Sequence, residues 1–314
     1  MKCSIIIRAY NEENHIGRLL EGIQHQTLKD AEIITVDSGS ADQTVAVAES
    51  FGARILRIDP HEFTFGRSLN IGVQSATRDL IVIASAHVYP VYPDWLELLL
   101  RPFEDKAVAL TYGKQRGSVL AKFSEGQIFR QWYPDVSRPR QETAFCNNAN
   151  AAIRKRLWEE NPFDETLTGL EDLAWAKWAK EKGYAIAYVA EAEVIHVHDE
   201  KPRGVFNRYR REAMAFKKIH PEAHFNLYDF LRLTITNILS DLWHAARQRV
   251  LWKSLASIFW FRCLQFHGTR MGYKESSWVT PQLRETFYYA RGRKPKDGAQ
   301  RDVEPIWYND RGDR

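Results

Sequence analysis

The chain has 314 residues, and its 44 Lys and Arg against 40 Asp and Glu leave a formal net charge of +4. Its hydrophobic fraction of 44% and charged fraction of 27% are those of a globular protein, which excludes collagen-like and disordered chains. We expect no transmembrane helix, because no apolar run is long enough, and no signal peptide, because the first residues soon turn polar. Cys3, Cys146 and Cys263 lie far apart, which suits a reducing cytoplasm better than a disulfide framework.

Charge is distributed unevenly along the chain. Residues 1–200 hold 22 Lys and Arg against 29 Asp and Glu, whereas residues 201–301 hold 20 Lys and Arg against 7 acidic residues. An acidic front and a basic back predict two regions with different roles. The length is likewise that of about two domains, or of one large α/β domain with an appendage.

The first half of the chain alternates strand and helix patterns. Short runs rich in β-branched residues predict four strands, at 4–7, 32–37, 53–58 and 80–85. Apolar residues at helical spacing predict helices between them, from Asn11, over 41–51 and over 67–76. Repeated units of this size predict a mostly parallel sheet with helices on both faces. Such a sheet binds ligands at the carboxyl ends of its strands, where Asp37 and His87 fall.

The second half is less uniform. Residues 113–146 show no regular pattern, while residues 171–182 predict an amphipathic helix that ends at Gly183. Two short strands are predicted after it, near 185–189 and 193–197. Long apolar stripes from Asn226 onward predict helices. We therefore divide the chain into an α/β domain (1–223), a helical basic and aromatic extension (224–290) and a flexible charged tail (291–314).

Several polar residues at strand ends and helix starts are candidates for chemistry. Asp37 could accept hydrogen bonds from a base or ribose, or could only stabilise the Ser38–Ser40 turn. Arg67 lies near a helix start, where the dipole disfavours a cation unless an anionic ligand such as a phosphate is present; the alternative is a solvated arginine. Glu171 and Asp172 could include a general base, or could only complement the dipole of the helix that they open.

Histidines and a basic run form the remaining candidates. His87 could ligate a divalent metal or contact a phosphate, and His196 and His198, which point the same way on a strand, could join it; a structural histidine is the commoner case. The cations of residues 201–211 could close over a diphosphate or form a solvated helix face. Neither a Gly-rich phosphate loop nor a serine nucleophile elbow is present, which weighs against nucleoside triphosphatases and dinucleotide enzymes.

Taken in order, five segments resemble the motifs of glycosyltransferase family 2, whose GT-A fold is a Rossmann-like mixed α/β sheet. These segments are 4–13, 36–44, 65–72, 148–158 and 169–172. The resemblance covers residues 1 to about 200 and implies a bacterial-type, hexosyltransferase-like enzyme that inverts the sugar, with Asp172 as general base and Glu171 orienting Asp172 or the acceptor. It further implies donor-binding residues Arg8, Ala9, Tyr10, Glu12, Asp37, Arg67, Asn70, Ala86 and His87, acceptor contact by Asn150, and diphosphate contacts by Arg203 and Arg208.

One departure from the family pattern bears on the cofactor. The family normally carries an Asp-x-Asp motif after the fourth strand, and Ser85-Ala86-His87 stands there instead. Without a carboxylate, the hard ions Mg²⁺ and Mn²⁺ lose the oxygen ligand that they prefer, so the dependence on a divalent metal is in doubt. Three alternatives remain. His87 and His198 hold a borderline metal, Arg67 and the basic run neutralise the diphosphate without a metal, or the protein has lost catalysis and only binds a sugar nucleotide or a partner.

The resemblance also implies partners and a location. We expect a nucleoside-diphosphate sugar as donor and a glycan or lipid-linked glycan of surface polysaccharide synthesis as acceptor. The protein is expected to be cytoplasmic and peripheral at the inner face of the cell membrane, because helices that mix Trp, Phe and Leu with Arg and Lys suit an anionic lipid surface. The alternatives are that these helices pack on the catalytic domain or form a homodimer. Nucleic acid is not expected as a partner, because the aromatics lie on apolar stripes.

Overall fold

A single mixed sheet organises residues 3–196 of the chain. The computed structural model describes residues 1–275 and 303–308; the predicted end of the extension, 276–290, and most of the predicted tail lie outside them. The strands are β1 (Cys3–Ala9), β2 (Ala31–Asp37), β3 (Arg54–Arg57), β4 (Leu80–Ser85), β5 (Val88–Pro90), β6 (Val108–Gly117), β7 (Asn150–Arg154) and β8 (Ala185–His196).

Ten α-helices accompany these strands within the described residues. They are α1 (Ile16–Gln24), α2 (Thr44–Ser50), α3 (Phe65–Ser75), α4 (Trp95–Leu100), α5 (Phe123–Trp132), α6 (Lys155–Glu160), α7 (Glu171–Glu181), α8 (Pro202–Ile219), α9 (Leu227–Arg247) and α10 (Leu251–Lys274).

The strand order is β3-β2-β1-β4-β7-β6-β8-β5. Strands β3, β2, β1 and β4 are parallel to one another, which places their carboxyl ends at one edge of the sheet. Strand β7 runs antiparallel to both β4 and β6, and β5 runs antiparallel to β8. The sheet is therefore mixed, with a Rossmann-like half that carries the predicted nucleotide-binding edge.

Alternating side chains of β1 fill a core on each face of the sheet. Ile5 and Ile7 pack with Leu19 of α1 on one face, while Ile6 packs with Leu69 of α3 on the other. All five side chains are fully buried. Burial on both faces explains why the strand reads as a continuous apolar run in the sequence and not as an alternating one.

Three element predictions need correction. The helix predicted from Asn11 begins at Ile16, because Asn11 takes a left-handed backbone (φ +54°) and its side chain accepts a hydrogen bond from Ala41 N. The irregular stretch 113–146 contains the end of β6 and all of α5. The two strands predicted after α7 are one strand, β8, whose pairing with β6 shifts register between Gly113 and Gln115.

The C-terminal helices share a core with the sheet domain. Leu173 of α7, Phe216 of α8 and Phe266 of α10 belong to one buried apolar cluster. The helix that carries the candidate general base therefore contributes to a core that it shares with the extension. None of the helices in residues 1–275 is long and apolar enough to cross a membrane.

A buried ion pair fixes α9 to α10 and both to the sheet domain. Arg262 of α10 forms two bonds with Asp241 of α9, 2.7 Å from Nε to Oδ2 and 3.0 Å from Nη2 to Oδ1. Its Nη2 also donates to the carbonyl of Ser124 in α5 at 3.3 Å. Breaking such a buried pair by removing one partner typically costs about 3–5 kcal/mol, so the packing of α9 and α10 is strongly specified.

Part of the predicted flexible tail is held against the sheet. Residues 303–308 run beside β5, where Ile306 N donates to Val91 O at 2.9 Å. The hydroxyl of Tyr308 donates to the carbonyl of Pro90. These six residues of the predicted tail are therefore held by one backbone and one side-chain hydrogen bond.

Candidate active site

The carboxyl ends of β1, β2 and β4 bring the first predicted residues together. Ala9 pairs with Asp37 across β1 and β2, and Arg8 pairs with Ser85 across β1 and β4. Asp37 is buried, and its Oδ2 accepts hydrogen bonds from Gly39 N at 3.1 Å and from Ser40 N at 3.2 Å. These contacts stabilise the Ser38–Ser40 turn, which was the alternative role predicted for Asp37. They also hold its carboxylate at the sheet edge.

The loop after β1 presents one exposed ring and one paired carboxylate. Tyr10 is 58% exposed at the sheet edge, whereas Ala9 and Ala86 are buried. The Ala9 carbonyl accepts a hydrogen bond from Ser38 N. Glu12 is positioned by its backbone N–H, which donates to Thr44 Oγ1 at 2.7 Å. Tyr10 is therefore the residue of this loop with a side chain free to stack on a base.

A strained turn places Glu171 and Asp172 beneath the same edge. Leu170, which precedes α7, has a left-handed backbone (φ +57°), a conformation that costs a non-glycine residue free energy and that concentrates at functional sites. Asp172 Oδ2 accepts from Asn148 N at 2.8 Å, and Arg8 Nη1 lies 3.3 Å from Glu171 Oε1. The first turn of α7 is thereby tied to the ends of β1 and β7.

The environment of Asp172 changes its proton affinity. Burial raises the pKa of this carboxyl to about 7, and the negative charge of Glu171 adds to the effect. The N–H groups of Asn148 and Leu173 and the charge of Arg8 act in the opposite direction. A carboxyl that titrates near neutral pH can accept a proton and release it again, as a general base must.

Three histidines converge next to this edge. His87 follows β4, and the pairing of Val88 with His196 sets the first two histidines side by side, with ring centroids 5.0 Å apart. The rings of His196 and His198 lie 4.0 Å apart, and one nitrogen from each of the three rings lies within 4.8 Å of the others. The structure therefore brings together the three histidines that the sequence proposed as one site.

Each histidine has one nitrogen directed at an oxygen of a neighbouring side chain. The Nδ1 atoms lie 2.7 Å from Glu12 Oε1 for His87, 2.8 Å from Gln115 Oε1 for His196, and 2.7 Å from Glu125 Oε1 for His198. For His196, the acceptor oxygen of Gln115 assigns the proton to Nδ1 and leaves the lone pair of Nε2 free, as in metal-binding histidines. Nε2 of His87 lies 3.1 Å from Ser85 Oγ, and Nδ1 of His198 lies 3.1 Å from Arg208 Nη1 as well as near Glu125. Nε2 of His196 is buried without a hydrogen-bond partner. Burial, assisted by Arg208, lowers the pKa of His196 and of His198, so both rings are neutral at pH 7.

Asn150 does not line an acceptor pocket, and that prediction is corrected. Its side chain is fully buried, with Oδ1 accepting from Trp95 Nε1 at 2.9 Å. Its Nδ2 donates to the carbonyls of Ala192 at 2.9 Å and Lys114 at 3.2 Å. Asn150 therefore joins β7 to its neighbouring elements inside the sheet domain.

Asn70 also has a structural role. Its Nδ2 donates to Phe163 O at 2.9 Å, and its Oδ1 accepts from Trp158 Nε1 at 2.8 Å. These bonds attach α3 to α6 and to the loop that leads to α7. The amide of Asn70 is thus used within the protein, and its contact with the donor stays a prediction.

The arginines predicted for the diphosphate differ in availability. Arg208 is largely buried, 2.7 Å from Glu125 and 2.9 Å from Glu200, so its charge is already offset within the protein and its diphosphate contact stays a prediction. Arg67 is partly exposed and pairs with Glu62 at 3.0 Å. Arg203 is exposed at the start of α8.

The sequence offered Arg8 and the basic run that contains Arg211 as candidates, but it did not predict that both arginines stack on Phe65. Its ring lies between two guanidinium groups, 4.9 Å from that of Arg8 and 4.5 Å from that of Arg211. Arg211 is exposed. Two cations stacked on one ring join β1, α3 and α8 and concentrate positive charge beside Glu171.

Comparison with known proteins identifies the family. The model of the family described as glycosyl transferase family 2 matches residues 4–160. The chain belongs to this family. It is therefore a glycosyltransferase, as the motifs of the sequence implied. The O-antigen chain rhamnosyltransferase RfbN of Salmonella typhimurium is 31% identical over 222 residues, which cover 67% of this chain and 70% of the relative.

Solved structures confirm the GT-A fold. The mannosyltransferase PcManGT from Pyrobaculum calidifontis, in complex with GDP-Man and Mn²⁺, matches with a TM-score of 0.61 at 16% identity and covers 87% of this chain and 88% of its own. Residues 1–349 of Staphylococcus aureus TarS, in complex with UDP, match with a TM-score of 0.53 at 16% identity, covering 97% and 98%. The mixed sheet and the helices that follow it are common to these proteins.

The pKa of Asp172 should depend on its acidic neighbour. Glu171→Gln removes a negative charge that helps to raise this pKa, so the value should fall from about 7 toward, but not to, the ordinary value of ~4. Carbon-13 NMR of protein labelled at aspartate carboxyls follows the titration, with the Asp172 signal assigned by its loss in Asp172→Asn. Glu160→Gln, at an exposed site, is the control. An Asp172 titration unchanged by Glu171→Gln contradicts the assigned cause.

Proposed function

We propose that the protein transfers a sugar, with inversion at the anomeric carbon, from a nucleoside-diphosphate sugar to an acceptor hydroxyl. Asp172 removes the proton from that hydroxyl as its oxygen forms the bond to the anomeric carbon. The bond from that carbon to the diphosphate oxygen breaks, and the nucleoside diphosphate leaves from the opposite face with the electron pair. The observation that carries the proposal is the burial of Asp172 beside Glu171 at the sheet edge, a setting that raises the pKa of the Asp172 carboxyl.

The remaining residues at this edge of the sheet would position the sugar donor and the general base Asp172. The exposed ring of Tyr10 and the carboxylate of Asp37 lie where the nucleotide base is expected at the carboxyl ends of β1 and β2. Arg8 holds Glu171, which in turn keeps Asp172 oriented toward the acceptor. Arg211, exposed and stacked on Phe65 beside Arg8, is better placed than Arg208 to offset charge on the diphosphate.

The histidine cluster fits a divalent metal, although not the ions that prefer oxygen. Three imidazoles, each with one nitrogen within 4.8 Å of the others, form a donor set that suits zinc and other borderline ions, whereas Mg²⁺ and Mn²⁺ favour carboxylates and carbonyls. We propose that His87, His196 and His198 hold such an ion. When bound, it would supply positive charge for the leaving diphosphate. Glu12, Gln115 and Glu125 would orient the three rings.

The acceptor and the location are proposed from the relatives. RfbN is named as an O-antigen chain rhamnosyltransferase, which supports a growing glycan, free or lipid-linked, as the acceptor of this chain. A lipid-linked acceptor would place the enzyme in the cytoplasm at the inner face of the cell membrane. The helical extension shares a buried core with the GT-A domain. This supports a model in which the two parts attach to the membrane surface as one unit.

Replacing the proposed general base should abolish transfer and spare donor binding. Asp172→Asn should lower the rate by ~10²–10⁴-fold, since the amide cannot accept the proton, while the Kd for the donor stays nearly unchanged. Release of nucleoside diphosphate from a panel of sugar nucleotides, with a lipid or oligosaccharide extract as acceptor, measures the rate, and calorimetry measures the Kd. The wild-type rate should also rise with pH through about 7.

The matched control for this experiment is Glu160→Gln, an equivalent carboxylate-to-amide change at an exposed position. It should leave the rate and the pH profile unchanged. Transfer by Asp172→Asn at the wild-type rate would remove Asp172 from the mechanism.

Metal binding can be measured without any substrate. The purified protein should bind about one equivalent of Zn²⁺, detected by mass spectrometry of its metal content and by the visible absorption of Co²⁺ in its place. His87→Ala and His198→Ala should lose this binding, and Glu12→Gln should weaken it by ~10–100-fold, because it releases the ring of His87.

His25→Ala changes an exposed histidine directly after α1 and should leave metal binding intact. Equal metal content in the wild type, His87→Ala and His198→Ala would show that the cluster does not hold the ion.

A further inference from the structure

The outer face of α9 is an exposed apolar stripe. Leu231, Ile235, Leu239 and Trp243 recur at every fourth residue and are 49%, 54%, 60% and 54% exposed. Residues four apart lie on the same side of a helix, so the four side chains form one continuous strip. Tyr228, one turn earlier, extends it and is 67% exposed. A strip of this size on a folded surface marks an interaction site.

The turn from α9 to α10 adds aromatic rings and cations to this strip. Trp252 is 85% exposed, and Arg247 lies over the ring of Trp243 with its guanidinium carbon 4.6 Å from the centroid. Arg249 and Lys253 are exposed on the same turn. Tryptophan beside Arg and Lys at the end of an apolar face is the arrangement found in helices that lie in the headgroup region of a bilayer.

Within the described helices α9 and α10, no carboxylate lies on this surface. The acidic residues of α9 are Asp229 and Asp241, and α10 has none. Asp229 is buried in a capping box with Asn226, and Asp241 is buried against Arg262. The exposed face of residues 227–274 therefore carries basic and no acidic side chains, and its charge complements an anionic surface.

A second copy of the chain is a poorer occupant than lipid. In a symmetric dimer the face would pack against itself, so Arg247, Arg249 and Lys253 would meet a surface that offers no carboxylate to pair with them. Anionic headgroups supply that charge, and the acyl boundary accommodates the apolar strip and the tryptophans.

We propose that the outer face of α9 and the turn to α10 dock the protein on an anionic lipid surface, with Ile235, Leu239, Trp243 and Trp252 entering the headgroup region. This proposal deepens the proposed location at the membrane. It does not depend on Asp172, so vesicle binding and transfer chemistry can fail separately.

Co-sedimentation with vesicles tests the docking face in the full chain. The wild type should bind vesicles of phosphatidylcholine with phosphatidylglycerol, and bind pure phosphatidylcholine at least ~10-fold more weakly. Ile235→Gln with Leu239→Gln should lower the partition coefficient for anionic vesicles at least ~10-fold, because two exposed apolar side chains no longer enter the headgroups. Arg247→Gln with Lys253→Gln should lose the preference for the anionic lipid.

The matched control is Val119→Gln with Leu120→Gln, which removes two exposed apolar residues from a loop of the sheet domain. It should bind as the wild type does, and thermal unfolding should confirm that all variants remain folded. Failure of the wild type to bind anionic vesicles overturns the proposal, as does equal binding by the α9 variant. A wild-type dimer that Ile235→Gln with Leu239→Gln dissociates would assign the face to a second copy instead.

Discussion

The attachment of the first turn of α7 to the sheet edge is the contact on which the site depends. Arg8, at the end of β1, lies 3.3 Å from Glu171, and the N–H of Asn148, just before β7, donates to Asp172 at 2.8 Å. These bonds hold two carboxylates in a buried setting, where the charge of one raises the proton affinity of the other. The left-handed backbone of Leu170 is the strain that accompanies this placement.

The histidine cluster is connected to the C-terminal helices through buried charges. His198 is directed at Glu125, which also binds Arg208 of α8. Next to Glu125, the carbonyl of Ser124 accepts from Arg262, which pairs with Asp241 of α9. The helix with the proposed lipid-binding face is thus joined, through ordered side chains, to the ring proposed to bind a metal. We infer that the C-terminal extension folds only together with the sheet domain, because α10 shares a buried core with α7 and α8.

Local sequence patterns predicted the strands and the order of the motifs. Strands β1, β2 and β4 are buried on both faces, and a continuous apolar run in the sequence is typical of such strands. The partners of the site could not be predicted in this way. Glu125 lies in a stretch without apparent periodicity, and its contact with His198 spans 73 residues. Asn150 and Asn70 were assigned to ligands because they fall in family motifs, whereas their amides satisfy groups inside the fold. Only tertiary contacts distinguish those roles.

We propose that three histidines do for the donor diphosphate what a carboxylate motif does elsewhere in the family. Calorimetry with whichever of UDP, GDP or dTDP most raises the melting temperature tests this role directly. The nucleotide should bind at least ~10-fold more tightly to the zinc-loaded protein than to the metal-free protein, and His198→Ala should remove this difference. Equal affinity with and without zinc in the wild type would contradict it.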